Sequence, residues 1–376
     1  MKLLARIVVW TAAAMIALAV VLGVALVALR WRNQAGRRIE SPPGIDRLVE
    51  YRIGGINQWV HIRGRDLGNP VVLYLHGGPG APMMPYEHLF QDAWERGFTV
   101  VQWDQRGAGK TALSNDPKLV NPSIDFDRMK TDAVELSGAL ARDLGQRKIL
   151  LLGHSWGTIL GIPVAQEHPE LFCGFVGTGV VINIQENERV GYGHTLDEAR
   201  RRRDSAAVRE LEGIAPYPEA TRNVPKEMTL RKWQVAYGFA RAKYRTLKAA
   251  ERGQILNALT SPVYRLSELR VFWSPEWTNH AYDKVGTYLM HHDARAWGLT
   301  FPIPLFFFVG RDDWQTPGVV AKAYLDEVTA PYKEFQYVAG AAHATPVEQP
   351  GAFAELMLQH VRPIALQYGC GRPETP

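Results

Sequence analysis

Cysteine is scarce in this chain of 376 residues, which has only Cys173 and Cys370. Two cysteines so far apart neither require nor exclude an oxidising compartment. Cys173 lies in the apolar run LFCGFVG, so we expect it to be a buried free thiol. A disulfide between the two cysteines is the less favoured alternative.

Acidic residues are absent from the N-terminal segment, since no Asp or Glu precedes Glu40. The net charge of +5 is concentrated in this segment, whose six cations are Lys2, Arg6, Arg30, Arg32, Arg37 and Arg38. The remainder of the chain is close to neutral. The overall charge therefore gives no reason to expect nucleic-acid binding by the folded body.

Charge is also absent from residues 7–29, IVVWTAAAMIALAVVLGVALVAL. A helix of this length, at 1.5 Å per residue, spans about 35 Å, and the hydrocarbon core of a bilayer is roughly 30 Å thick. A cleaved signal peptide has a shorter apolar region of about 7–15 residues. We therefore expect residues 1–32 to be a retained single-pass transmembrane helix, with cleavage and a secreted or periplasmic body as the alternative. Positive charges flank both ends, so the side on which the body lies stays open.

Nucleotide and metal motifs are missing as well. The segment DQRGAGKT, residues 104–111, contains glycines, lysine and threonine, but its two glycines are too close together for G-x-x-x-x-G-K-[ST]. We expect Asp104 and Arg106 to brace this loop. The run His-His-Asp at 291–293 has no second ligand group at a metal spacing. The sequence therefore predicts no cofactor and no metal ion.

Short apolar runs follow a polar linker over residues 33–45. LVEYRI and QWVHIRG, separated by Gly-Gly, predict a β-hairpin. Six unbroken runs of strand length come next, typical of parallel strands buried on both faces: VVLYL, FTVVQW, KILLL, CGFVGT, IPLFFFVG and EFQYVAG. Helix-like stretches lie between them, so we predict an α/β fold with a mostly parallel, doubly wound sheet over residues 46–180 and 301–376.

Residues 181–300 interrupt this alternation. They contain no convincing buried strand and are rich in arginine, glutamate and tryptophan at helical spacing. We expect a mostly helical insertion there, between two strands of the core.

The segment GHSWG, residues 153–157, lies between a predicted strand and a helix-like run. G-x-S-x-G alone is a weak signal, but the strand–turn–helix context is that of a nucleophile elbow. The glycines permit close chain approach, and the helix N-terminus favours developing negative charge. We therefore predict that Ser155 is a nucleophile and that His154 packs beneath the turn.

A nucleophilic serine needs a base, and the base needs an orienting acid. In this architecture they follow the serine in the chain, on loops after the last strands. RDDWQTP follows FFFVG, and AAHATP follows EFQYVAG. This order predicts Asp313 as the acid and His343 as the base, with Asp312 as the alternative acid.

An oxyanion hole is expected from two backbone N–H groups. One belongs to Trp156, which follows the nucleophile. The other should come from HGGPG, residues 76–80, where we select Gly78. We expect His76 to brace this loop rather than to transfer a proton.

HGGPG, DQRGAGKT, GHSWG, GRDDWQTP and AAHATP, in this order, resemble the α/β-hydrolase superfamily and, within it, the proline iminopeptidase group of serine peptidases. The resemblance covers about residues 45–180 and 300–365. It implies a serine hydrolase whose triad is Ser155, Asp313 and His343, covered by a helical cap.

In peptidases of that group, cap carboxylates hold the free α-amino group of the substrate. This chain departs from the pattern, because its elbow has a histidine before the serine and its insertion has no Trp-Glu dipeptide. RKWQVAYGF makes Trp233 and Tyr237, together with Trp156, candidate substrate contacts. Nothing selects among five insertion carboxylates that could hold an amine: Glu186, Glu188, Glu227, Glu268 and Glu276.

These observations predict a membrane-anchored serine hydrolase that acts through an acyl-enzyme. The favoured activity is release of N-terminal residues from small peptides, as in proline iminopeptidases. Carboxylesterase or amidase action on small or amphiphilic substrates is the alternative. A hydrolase fold used as a non-catalytic binding module is a third hypothesis, disfavoured because every triad and oxyanion residue is present.

Overall fold

A mostly parallel sheet forms the centre of the body. The structure, a computed structural model, describes residues 2–40, 42–272 and 280–372. Its sheet has eight strands in the order β1-β2-β4-β3-β5-β6-β7-β8. The strands are β1 (Ile45–Ile53), β2 (Ile56–Gly64), β3 (Val71–Leu75), β4 (Thr99–Trp103), β5 (Ile149–His154), β6 (Phe172–Thr178), β7 (Leu305–Gly310) and β8 (Lys333–Val338). The predicted hairpin is β1–β2, and the predicted apolar runs are the six parallel strands β3 to β8.

Some helices pack on this sheet, whereas the first precedes it and others lie between β6 and β7. The helices are α1 (Lys2–Ala35), α2 (Gly109–Ser114), α3 (Pro117–Val120), α4 (Phe126–Asp143), α5 (Trp156–Glu167), α6 (Ile184–Arg202), α7 (Ser205–Gly213), α8 (Val224–Tyr237), α9 (Leu247–Leu259), α10 (His280–Met290), α11 (Gly318–Glu327), α12 (Thr345–Glu348), α13 (Pro350–Leu356) and α14 (Arg362–Gln367). Side-chain caps mark several starts: Asp125 accepts from the N–H of Arg128 at the start of α4, and Asn183 accepts from that of Glu186 at the start of α6.

Two apolar cores lie on opposite faces of the sheet. Every residue of β3 to β7 is buried. Because successive side chains of a strand point to opposite faces, Leu73 and Leu151 join one core, whereas Val72 and Leu150 join the other. Burial on both faces is why these strands appear in the sequence as unbroken apolar runs.

The segment between β6 and β7 is helical, as expected, and contains α6 to α10. Within the described residues it has no strand, only isolated bridges such as that between Asn183 and Asp293. α6, α7 and α8 enclose a small apolar cluster of their own around Leu211 and Leu230. The domain boundaries at 181 and 300 stay a prediction.

α1 is a single helix that is long and apolar enough to cross a membrane. It extends to Ala35, three residues beyond the predicted end of the anchor. The linker that follows α1 packs against the body at Arg37, whose side chain is only 5% exposed. Arg37 donates hydrogen bonds to the buried carboxylates of Glu87 (2.9 Å) and Glu95 (3.2 Å) and is also paired with Asp92.

Cys173 and Cys370 form a disulfide across 197 residues of sequence. The expectation of a free thiol at Cys173 was therefore wrong. Cys173 lies in β6, an inner strand of the sheet, and the chain after α14 returns to the sheet, where Cys370 bridges to Lys148 beside β5. The pairing depends on this return of the C-terminal segment, which no local pattern around Cys370 indicates.

Candidate active site

Ser155 occupies the sharp turn between β5 and α5. Its backbone angles are φ 54° and ψ −119°, in a region that non-glycine residues seldom adopt. The flanking glycines are needed for the same turn. A Cβ atom at Gly153 would collide with the carbonyl of Gly157, and one at Gly157 would collide with the carbonyl of Leu75. The G-x-S-x-G spacing therefore follows from chain packing at this turn.

Asp313 and His343 meet at the same end of the sheet. Asp313 follows β7 and His343 follows β8, and both side chains are buried. His343 Nδ1 lies 3.0 Å from Oδ2 of Asp313. Because the carboxylate accepts, Nδ1 carries the proton and Nε2 is left to accept one. Asp312, the alternative acid, precedes Asp313 on the same loop and is exposed.

The carboxylate of Asp313 is held ionised by several donors. Burial by itself would raise its pKa, but His343 and the hydrogen bonds from Thr316 lower the pKa below its ordinary value. Thr316 donates from its backbone N–H (2.9 Å) and its hydroxyl (2.6 Å), and the N–H of Gln315 adds a third bond (3.0 Å). Thr316, which the sequence did not single out, therefore fixes the orientation of Asp313.

Ser155 and His343 line one cavity of about 630 Å³. Gly179 lies close behind the imidazole, since a Cβ atom there would come within 3.0 Å of Cε1 of His343. The structure thus brings Ser155, His343 and Asp313 to one place, with a chamber over the serine large enough for a small organic substrate.

Of the two expected oxyanion donors, Trp156 adjoins Ser155 in the chain and Gly78 lines the same cavity. Trp156 is the first residue of α5, so its N–H has no acceptor within the helix. Gly78 lines the cavity and has φ +111°, which requires glycine. Gly77 lies closer still, because a Cβ atom there would be 3.1 Å from Cβ of Ser155. Sequence reasoning passed over Gly77, although it lies in the same motif.

His154 does more than pack beneath the turn. It lines the cavity, and its Nε2 lies 2.9 Å from the backbone carbonyl of His343. Burial, with His343 nearby, lowers the pKa of His154 to about 3, so its ring is neutral. The carbonyl must accept, so Nε2 carries the proton and Nδ1 is an acceptor without a partner in the described residues.

The predicted substrate contacts do not line this cavity. Trp233 and Tyr237 lie beside the apolar cluster of α6, α7 and α8, where they are bonded to Glu210 and Asp204. The indole of Trp156 is buried and donates to Gln105. All three side chains therefore have structural partners away from this cavity, and contact between them and substrate stays a prediction.

The insertion carboxylates are also engaged elsewhere. Glu186 contacts Arg295, Glu188 contacts Arg231, Glu227 contacts Arg222, and Glu268 contacts Lys110. Glu276 lies outside the described residues.

The charged residues that do line the cavity are different ones. Among the described residues they include one carboxylate, Glu348, and two cations, Arg241 and Lys243. Glu348 accepts from the backbone N–H groups of Ala242 (3.0 Å) and Ala342 (2.6 Å), which ties the loop after α8 to the loop that carries His343. No sequence motif marks these residues, because only the fold brings the two loops together.

The loop at 104–111 braces its neighbours, as expected. Arg106 is paired with the buried carboxylate of Asp132 at 2.7 Å. Asp104 accepts from the N–H of Lys110 (2.7 Å) and from the hydroxyl of Tyr264. His76 likewise accepts from the N–H of Gln105 at 3.2 Å, which is the bracing contact expected of it.

Comparison with known proteins assigns this architecture. Residues 69–263, just over half of the chain, match the family model described as serine aminopeptidase, S33. The chain is 28% identical over 317 residues to the probable aminopeptidase YbaC of Bacillus subtilis (strain 168), covering 84% of this chain and 96% of that protein.

Solved structures give the same fold. A proline iminopeptidase-related protein from Thermus thermophilus superposes with a TM-score of 0.58 at 20% identity, over 87% of this chain and 99% of that one. The proline iminopeptidase of Mycobacterium smegmatis superposes with a TM-score of 0.56 at 19% identity, over 86% and 99%. With its α/β-hydrolase fold and its matching sequence, the chain belongs to the serine aminopeptidase S33 family.

Proposed function

We propose that this hydrolase cleaves an ester or amide bond through an acyl-enzyme formed on Ser155. The observation that carries the proposal is that Ser155 and His343 line one cavity, with Asp313 bonded behind His343. Ser155 Oγ attacks the substrate carbonyl carbon while Nε2 of His343 accepts the hydroxyl proton. Asp313 orients the imidazole and stabilises its charged form.

The N–H groups of Trp156 and Gly78 hold the negative charge that develops on the carbonyl oxygen, with Gly77 beside them. His343 then gives its proton to the leaving group, and the acyl–Ser155 ester remains. A water molecule, deprotonated by His343, attacks this ester, and Ser155 regains its proton as the acid product leaves.

The first candidate substrate is a peptide whose N-terminal residue is released. The family and the Bacillus relative support this candidate. A free α-ammonium group would need a carboxylate, and Glu348 is the one at the cavity within the described residues. Each of its oxygens accepts one backbone hydrogen bond and retains a second lone pair for the substrate amine.

The second candidate is an ester or amide without a free amine. It is favoured by the cavity lining, in which Arg241 and Lys243 outnumber Glu348. Much of the remaining lining is apolar, as at Met83, Leu89 and Phe272. Such a lining suits a neutral or anionic substrate with an apolar acyl group better than a small cation.

A set of matched substrates separates the two candidates. A prolyl arylamide, its N-acetylated form and a short acyl ester are assayed with the wild type and with Glu348→Gln. The aminopeptidase hypothesis predicts turnover of the free prolyl arylamide, none of the N-acetyl form, and a raised KM for the free amine in Glu348→Gln. Turnover of the ester alone, unaffected by Glu348→Gln, would overturn that hypothesis in favour of the second candidate.

We also infer that α1 is a retained anchor and that the body lies on the oxidising side of the membrane. The disulfide between Cys173 and Cys370 supports this side, because thiols stay reduced in most cytosols. In bacterial spheroplasts, externally added protease should digest the body, and the cysteines should react with maleimide only after reduction. If the protease leaves the body intact and both cysteines react without reduction, the body does not lie on the oxidising side. A mature protein whose mass lacks α1 would contradict a retained anchor.

A further inference from the structure

The anchor helix is bonded to the end of α9, the helix whose Gln254 and Asn257 line the catalytic cavity. Arg30 of α1 donates from Nη1 to the carbonyl of Leu259 (2.8 Å) and from Nη2 to the carbonyl of Tyr264. Asn33 donates to the carbonyl of Thr260 at 3.0 Å. The end of α9 and the turn that follows it are therefore tied to the end of the apolar stretch of α1.

With α1 as the anchor inferred above, this connection sets the distance between the end of α9 and the membrane surface. The uncharged stretch ends at Leu29, so Arg30 and Asn33 lie within about 6 Å of the apolar boundary at 1.5 Å per residue. Trp31, 70% exposed, has the position and chemistry of an interfacial aromatic residue. The segment at 259–264 must then lie at the level of the lipid head groups.

The residues on either side of this segment expose apolar and cationic side chains. Leu256 and Leu266 are 63% and 48% exposed. Arg252, one helical turn before Leu256, and Arg265, directly before Leu266, are exposed as well. We call these four residues the anchor-side patch. Exposed leucines interleaved with arginines are suited to an interface with anionic lipid, where apolar groups enter the acyl boundary and cations meet phosphate.

Part of the patch lines a depression next to the catalytic cavity. Arg252 and Leu256 line a depression on the outer side of α9, of about 610 Å³. Tyr244 and Asn257 line both this depression and the cavity that contains Ser155, so the two spaces adjoin. The Tyr244 hydroxyl packs against Gly253, where a Cβ atom would collide with it.

We propose that the anchor-side patch lies on the lipid head groups of the leaflet that α1 enters, and that substrate reaches Ser155 from this leaflet along α9. The substrate class is an amphiphile with an anionic head and an ester or amide bond, since Arg241 and Lys243 line the inner cavity. This inference rests on the second candidate of the proposed function for the bond cleavage and adds the origin of the substrate.

Depth-dependent quenching tests the placement in the full-length chain. Leu256→Cys is labelled with the fluorophore NBD and reconstituted in phosphatidylcholine–phosphatidylglycerol vesicles that carry nitroxide-labelled acyl chains. The native cysteines are paired, so the thiol probe reacts only with the introduced cysteine. The matched control is Val319→Cys, an exposed apolar residue of α11, which packs on β7 and β8 at the far edge of the sheet.

The nitroxide lipids should quench the label at 256 and leave the label at 319 bright. Equal quenching at the two sites would overturn the placement. As a second measurement, Arg265→Glu should lower the rate on a vesicle-borne anionic lipid ester, relative to that on a water-soluble ester, by about fivefold. Lys322→Glu on α11 should leave this ratio unchanged, and an unchanged ratio in Arg265→Glu would contradict entry from the membrane.

The reactivity of Ser155 tests the hydrolase activity, and the quenching of the label at 256 tests the membrane route. If Ser155 in the wild type does not react with a fluorophosphonate, the proposed function is wrong whatever the label at 256 reports. If Ser155 reacts but the label at 256 behaves like the label at 319, the hydrolase stands and the membrane route is wrong.

Discussion

His154 donates a hydrogen bond from Nε2 to the backbone carbonyl of His343, 2.9 Å away. The residue before the proposed nucleophile thus holds the main chain of the proposed base. Because the pKa of His154 is lowered to about 3, its ring stays neutral over the whole working range of an ordinary hydrolase. His154 is therefore a positioning residue for His343.

Replacing His154 by alanine should lower kcat by about tenfold with little change in KM, because one buried hydrogen bond that positions the base is lost. His154→Gln retains an N–H donor and should recover part of the rate. Steady-state kinetics on one ester substrate measures both variants. A rise in KM alone, equal in the two variants, would show that His154 contacts substrate instead.

Asp313→Asn should reduce kcat by about 10³–10⁴-fold, because an amide cannot hold the imidazole of His343 in the tautomer that accepts a proton. Asp312→Asn is the matched control. Its side chain is exposed beside the site and should leave kcat within about twofold, as expected for a surface substitution. The reverse pattern would make Asp312 the acid.

Local sequence patterns were sufficient to predict the arrangement of the candidate site. Ser155 lies on a turn where Gly153 packs against Gly157, and Gly157 packs against Leu75, so neither glycine has room for a side chain. Such close contacts require a fixed glycine spacing, which can be seen in the sequence. Asp313 and His343 follow strands that appear as apolar runs. Their meeting could be predicted because the carboxyl ends of neighbouring parallel strands lie at one edge of the sheet.

Long-range packing was beyond these patterns. The disulfide of Cys370 depends on how the C-terminal segment returns to the sheet, and Glu348 reaches the cavity because two distant loops meet. Helical spacing does not tell which face of an insertion covers the site, so the sequence could not show that Trp233 and Tyr237 lie beside the cluster of α6, α7 and α8.

The free energy of unfolding should fall as pH rises from about 6.5 to 9. His61 is buried between Asp46 and Glu87, 2.9 Å from each. Burial by itself would lower its pKa, but the two carboxylates raise the pKa from 6.5 to about 9. The folded state therefore keeps a proton that the unfolded state releases, and this contribution is complete below pH 6.5 and lost as pH passes 9.

Denaturant titration of the full chain in detergent, repeated across this pH range, measures the effect. His61→Gln should flatten the pH dependence, whereas His291→Gln, at an exposed histidine, should keep the slope of the wild type. If His61→Gln has the same slope as the wild type, His61 is not the source of the pH dependence.

Removing the disulfide should lower the free energy of unfolding by about 2–4 kcal/mol, because the bond closes a long loop in the unfolded chain. Cys173→Ala/Cys370→Ala is compared with the oxidised wild type by denaturant titration at one pH. Alkylation followed by intact mass gives the state of the native pair. Two alkyl groups on the unreduced, natively purified protein would mean that the bond is not formed.

Covalent labelling is the sharpest test that Ser155 is the nucleophile. The full-length protein in detergent is treated with a fluorophosphonate, digested and analysed by mass spectrometry, beside Ser155→Ala and the neighbouring control Thr158→Ala. We expect one phosphonyl adduct on Ser155, absent from Ser155→Ala and retained in Thr158→Ala. Folded wild-type protein that takes up no reagent, or that takes it up equally in Ser155→Ala, would contradict this role of Ser155.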